Sequence, residues 1–159
     1  MVRPLGCAVI IASTCFAGAA LAQPAFDIQP TLDCIGEAGE DNNLRLSCVG
    51  TAADACMADD SSTVGMTYCL EQEFIWWDRE LNVAYQASKE MAAESDAALS
   101  PPLNVQGATL LEMQRAWIPF RDARCRFEAV LWQGGTGAGA AQYACLMIET
   151  ARQTMVLGY

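Results

Sequence analysis

The chain contains no histidine. That removes the side chain whose unperturbed pKa suits acid–base work near neutral pH, and with it the commonest metal ligand. Ser-His-Asp and Cys-His nucleophilic arrangements are therefore impossible. No Cys-x-x-Cys pair occurs and no Gly-x-x-x-x-Gly-Lys sequence is present, so the usual zinc and phosphate-loop signatures are missing. Gly134-Gly135-Thr136-Gly137-Ala138-Gly139 is glycine-rich, but no strand-like segment precedes it and no lysine follows it. Strand-like alternation of useful length and internal repeats are also missing. Positive charge is scarce: 9 Lys and Arg stand against 19 Asp and Glu, a formal net charge of −10. Such a surface repels nucleic-acid phosphates and suits either solubility or a basic partner.

What is present begins with an apolar run from Leu5 to Leu21 behind Arg3, ending in Ala20-Leu21-Ala22. Residues 1–22 read as a secretory signal peptide, with cleavage expected between Ala22 and Gln23. A membrane anchor fits less well because the run is interrupted by Gly and Ser and lacks basic residues after it. Lipidation at Cys15 fits less well because Ala12-Ser13-Thr14 is a poor lipobox. The expected mature chain spans 23–159 and bears a charge of −11. It keeps six cysteines, and an even number in an exported protein reads as three disulfides; no membrane span is expected once the leader is removed.

The mature chain divides into a Cys-rich segment, 23–66, and a longer helical part, 67–159, expected to form one compact all-α unit. Two short helices are expected at about 28–38 and 43–57, with Gly39-Glu40-Asp41-Asn42 as the turn between them. Leu70, Phe74, Trp77, Leu81, Tyr85 and Met91 form one apolar stripe and predict a helix from Thr67 to about Ala93. Ser100-Pro101-Pro102 ends that region. A second long helix is expected from Thr109, where Thr109-Leu110-Leu111-Glu112 has the form of a capping box. Leu110, Met113, Trp117, Phe120, Phe127 and Leu131 supply its apolar positions, and Pro119 predicts a kink. A last helix is expected from about Ala140 to Leu157, with Gly158 beyond it.

Placing the cysteines on these helices selects Cys34–Cys48, Cys56–Cys69 and Cys125–Cys145 by proximity, one of fifteen connectivities. Cys48 and Cys56, eight residues apart on one expected helix, are separated by about 12 Å along its axis and are out of reach of one another. Carboxylates offer the remaining chemistry. Glu71, Glu73, Asp78 and Asp122 could supply the pair a glycosidase needs. The competing reading puts Glu71 and Glu73 on a solvated helix face and pairs Asp122 with an arginine. Trp77 belongs to the apolar stripe, whereas Trp76 lies off its centre. Arg121, Arg124 and Arg126, close to Asp122 and Glu128, suggest structural ion pairs.

Two blocks carry a family resemblance. One is Cys69…Trp77-Asp78-x-x-Leu81-Asn82-x-x-Tyr85. The other is Leu111-x-x-Gln114-Arg115-Ala116-Trp117-Ile118-x-Phe120-Arg121-Asp122-x-x-Cys125, followed by a Gly-Gly loop, Cys145 and Thr150-x-Arg152. Over about residues 66–157 this order resembles the lysozyme-inhibitor LprI-like N-terminal domain family of bacterial exported proteins, from which Pro119 and the Cys-rich segment depart. The resemblance implies a periplasmic or secreted helical domain with possible inhibition of lysozyme and identifies no inhibitory residue; the residues themselves carry no recognisable catalytic motif and no sign of a bound cofactor.

The leading functional expectation is a non-catalytic binding protein whose partner is a basic lysozyme-type muramidase. The alternatives are a cell-envelope structural or assembly factor and, less favoured, a carboxylate-based hydrolase. Candidate partner contacts are Glu37, Glu40, Asp41, Asp59 and Asp60 of the acidic segment, and Gly135 and Gly137, whose bare amides could approach cleft carboxylates.

Overall fold

A computed structural model describes residues 25–158; the expected signal peptide and its cysteines lie outside the described residues. Six α-helices and no strands occur among them: α1 (Gln29–Ala38), α2 (Asn42–Ser47), α3 (Thr51–Asp59), α4 (Thr63–Ala98), α5 (Gln106–Val130) and α6 (Ala138–Val156). The long helices α4, α5 and α6 pack on one another. The short helices gather against α4 through α3, with α1 beside α2 and α3.

The helix expected at 43–57 is two helices. Gly50 takes φ +100°, a left-handed value that a residue with a Cβ rarely adopts, and the chain turns there between α2 and α3. Cys48 and Cys56 thus lie on separate elements, and the axial-distance argument for keeping them apart does not apply. The bonded pairs are nevertheless Cys34–Cys48, Cys56–Cys69 and Cys125–Cys145, with Cα separations of 5.6, 5.7 and 5.3 Å. The first staples α1 to the end of α2, the second α3 to α4, and the third α5 to α6.

Helix α4 is longer than its apolar stripe. Ser62 caps it by accepting from the Gly65 amide at 3.0 Å. Leu70, Trp77, Leu81, Ala84 and Ala92 are buried along it, whereas Met91 is exposed. The main core joins Leu70 and Trp77 to Ile35, Ala53, Met147, Ala151 and Met155. A smaller one holds Leu81, Ala84 and Leu157, with Tyr85, Leu110 and Trp117 beside them.

Helix α5 departs from expectation in two ways. It starts at Gln106, and its cap comes from another helix: Asp96, near the end of α4, accepts from the Gln106 and Gly107 amides, each at 2.9 Å. Thr109 lies inside the helix and donates to the Val105 carbonyl, so the capping box does not form. The second departure concerns its apolar residues. Phe120, Phe127 and Leu131 are exposed, whereas Gln114 and Cys125 are buried. The bundle-facing positions are Leu110, Gln114, Trp117, Arg121 and Cys125, one helical row of mixed polarity. The helix continues through Pro119.

Candidate functional site

The polar residues of this bundle fall into three groups, each tied to particular elements. The deepest centres on Glu73, whose side chain is fully buried, with 0% exposure. It occupies the face of α4 that meets the short helices, so the expected solvated position is corrected. Its two oxygens accept from Gly50 N (2.8 Å), Ala53 N (2.8 Å), Thr31 Oγ1 (3.1 Å) and Trp77 Nε1 (3.3 Å). The Thr31 hydroxyl in turn accepts from Ala52 N at 2.9 Å. The amides of Gly50, Ala52 and Ala53 open α3 and lack partners within that helix. One carboxylate therefore serves as the tertiary cap of α3 and joins α1, α3 and α4.

The second group holds α5 to its neighbours. Arg121, its side chain 13% exposed, forms a fork with Asp122 Oδ1: Nε and Nη2 each lie 2.9 Å from it. Nη1 lies 3.6 Å from Asp78 on α4 and donates to Thr150 Oγ1 on α6 at 3.4 Å. The guanidinium carbon sits 4.9 Å from the centre of the Trp117 ring and 5.9 Å from that of Phe74, both within cation–π range. Asn82 is exposed and donates to the Asp78 carbonyl. Gln114 accepts from Gln153 at 3.0 Å, and Arg152 and Arg124 both bind Glu149. The structure thus gathers Asp78, Trp117, Arg121 and Asp122 near the junction of α4, α5 and α6, with Leu81 and Tyr85 in the adjoining apolar cluster, while Trp77 sits in the main core beside Glu73. Asp78 and Asp122 share one arginine, an arrangement suited to positioning helices.

The third group lies at the start of α4. An open groove of about 440 Å³ is lined by Thr63, Val64, Thr67, Tyr68, Glu71 and Thr136. Here the Gly-rich connection between α5 and α6 meets α4. Tyr143 on α6 donates to Glu71 Oε1 at 2.7 Å, and that bond, with partial burial, raises the Tyr143 pKa above its ordinary 10.0. A raised folded-state pKa gives stability that is complete below pH 10 and lost as the pH rises through the shifted value. Tyr143→Phe is expected to cost about 1 kcal/mol at neutral pH, discounted for solvent screening, and to flatten the fall in melting temperature above pH 10. Thermal melts of both proteins between pH 7 and 11 check this; parallel curves would count against it.

The proposed contact residues are distributed unevenly. Glu37, Glu40 and Asp59 are exposed. Asp41 is exposed but also caps α2, accepting from Asn43 N and Leu44 N. Asp60 is half-buried against the first turn of α4, where a Cβ on Gly65 would collide with it. The Ser62 amide bonded to its carboxylate lowers the Asp60 pKa. Gly135 is exposed, but its amide donates to the Trp132 carbonyl at 2.8 Å. Gly137 is buried beneath the Trp132 ring, which leaves no room for a Cβ. The picture of a loop presenting bare amides is corrected: its glycines permit tight turns under Trp132.

These observations define a disulfide-stapled all-helical bundle in which buried Glu73, Gln114, Glu149 and Thr150 join one helix to another. Among the described residues no helix is long and apolar enough to cross a membrane, and no group of His, Cys, Asp or Glu is placed to hold a metal ion. The family described as "Lysozyme inhibitor LprI" matches residues 53–157, and the chain belongs to that family. It is 28% identical over 134 residues to an "uncharacterized 17.7 kDa protein in puhA 5'region" of Rhodobacter capsulatus, covering 80% of this chain and 82% of that one. It is also 29% identical over 103 residues to an uncharacterized protein of Rhizobium meliloti (strain 1021), covering 60% and 71%. No solved structure matches.

Proposed function

We propose that the protein is an extracytoplasmic, non-catalytic inhibitor that binds a basic lysozyme-type muramidase through its acidic N-terminal half. Family membership supports the class of activity. The observation that carries the choice of surface is the segregation of charge. Residues 25–98 hold fifteen carboxylates and three basic side chains, whereas residues 99–159 hold four and five. A field of one sign on one part of a molecule steers an oppositely charged partner and raises the association rate, an effect that salt screens. Glu37, Glu40 and Asp59 are exposed in this half without acting as helix caps, so they are available to such a partner.

Lysis of peptidoglycan by a panel of lysozymes, with oxidised protein at low and high salt, tests the proposal. Inhibition of at least one basic lysozyme at micromolar concentration is expected, weakening as salt rises. Neutralising Glu37, Glu40 and Asp59 together as Gln, Gln and Asn is expected to slow association up to about tenfold. Neutralising Glu112 and Glu128, which lie outside that half, should slow it less per charge removed. Absence of inhibition across the panel would overturn the activity. Equal slowing per charge by both sets would overturn the surface.

A further inference from the structure

The face of α5 turned away from the bundle carries a pattern that neither its packing nor the acidic half explains. Met113, Ala116, Phe120, Ala123, Phe127 and Val130 are all exposed. Their spacing is three, four, three, four, three, the a/d repeat of a helix-pairing seam. The phase is opposite to Gln114 and Cys125, the buried residues of α5. Phe120 is 58% and Phe127 59% exposed, and Leu131 and Trp132 extend the surface at its end. At 1.5 Å per residue the seam runs about 25 Å. Its half-exposed large side chains offer on the order of 500 Å² of apolar area, at the upper end for a patch on a monomeric protein.

We infer that this seam is a self-association surface, on which α5 of a second copy packs antiparallel about a two-fold axis. Three observations select a second copy. First, the seam alternates large and small: Met113, Phe120 and Phe127 at one register position, Ala116, Ala123 and Val130 at the other. An antiparallel pair sets each position against the other, giving Met113 to Val130, Ala116 to Phe127 and Phe120 to Ala123. Every large side chain then meets a smaller one, and the two-fold axis makes the contact self-complementary. A parallel pair would stack Phe120 on Phe120 and leave a gap at Ala123. Second, about 500 Å² from each copy gives about 1,000 Å² in all, the lower bound for a specific protein interface. Third, residues 112–131 hold four arginines and three carboxylates. Two copies of a chain with net charge −10 meet there without the repulsion their acidic halves would impose.

The dimer leaves the acidic half free, so this inference is independent of muramidase binding. Sedimentation equilibrium of the oxidised protein over a concentration series tests it. Reversible dimerisation is expected by about 100 µM, in keeping with a small interface. Phe120→Glu places a charge in the seam, and Ala123→Phe keeps the seam apolar but removes the small partner of Phe120. Each is expected to weaken dimerisation at least tenfold while leaving circular dichroism and melting temperature nearly unchanged. A wild-type protein monomeric at 100 µM, or dimers surviving both changes, would overturn the inference. Flotation with anionic vesicles supplies a third arm: binding lost in Phe120→Glu, kept in Ala123→Phe and accompanied by no dimer would assign the seam to a membrane surface instead.

Discussion

Glu73→Ala is expected to destabilise the protein by about 3–5 kcal/mol, because it strands several buried donors and opens a cavity in their midst. The carboxylate satisfies Gly50 N, Ala53 N, Thr31 Oγ1 and Trp77 Nε1 in a site without solvent exposure. Alanine leaves four donors facing a cavity, and each buried donor without an acceptor costs about 1–3 kcal/mol before relaxation. Glu73→Gln keeps the volume but turns an amide NH2 towards donors, so it is expected to recover only part of the loss. Urea unfolding at pH 7 for the three proteins gives the comparison. A loss under 1 kcal/mol for alanine would mean that the site rearranges or admits water.

Reduction is expected to have a larger effect. The bonded cysteines are separated by 14, 13 and 20 residues. Closing loops of that length stabilises a fold by roughly 3 kcal/mol each in the chain-entropy account. Together that is comparable to the entire stability of a typical domain, about 5–15 kcal/mol. Full reduction at 37 °C should abolish the cooperative thermal transition and the near-ultraviolet circular dichroism. Retention of both in a protein shown by mass spectrometry to carry six free thiols would mean that apolar burial alone sustains the bundle.

Helix content and the stripe on α4 were legible because Leu70, Trp77 and Leu81 keep helical spacing and are all buried. The cysteine pairs were legible by proximity even though the helix expected at 43–57 is broken at Gly50. That break escaped because glycine is tolerated within helices, and only φ +100° shows that this one is a turn. The start of α5 escaped for a tertiary reason. A local capping box at Thr109 competes with Asp96 of α4, and the contact from the other helix prevails.

The apolar pattern of α5 was visible, but its direction was not. Periodicity establishes that a stripe exists without saying whether it faces the bundle. The phase was available from Cys125: its bond to Cys145 fixes the inner face, and stepping back by four, eight and eleven residues reaches Arg121, Trp117 and Gln114. For Glu73 no comparable signal existed. A glutamate on an otherwise acidic helix looks solvated until the amides of α3 are brought against it.

The grip of Glu73 also bears on where this protein can be cut. The matched family region begins at residue 53, yet two of the four donors to that acid, Thr31 and Gly50, come from earlier in the chain. A version trimmed to the family boundary would also lose Cys34 and Cys48, and would leave an anion half stripped of its donors in the wall of α4. The region matched by the family is therefore smaller than the unit that folds here, and the preceding segment is an integral wall of the bundle.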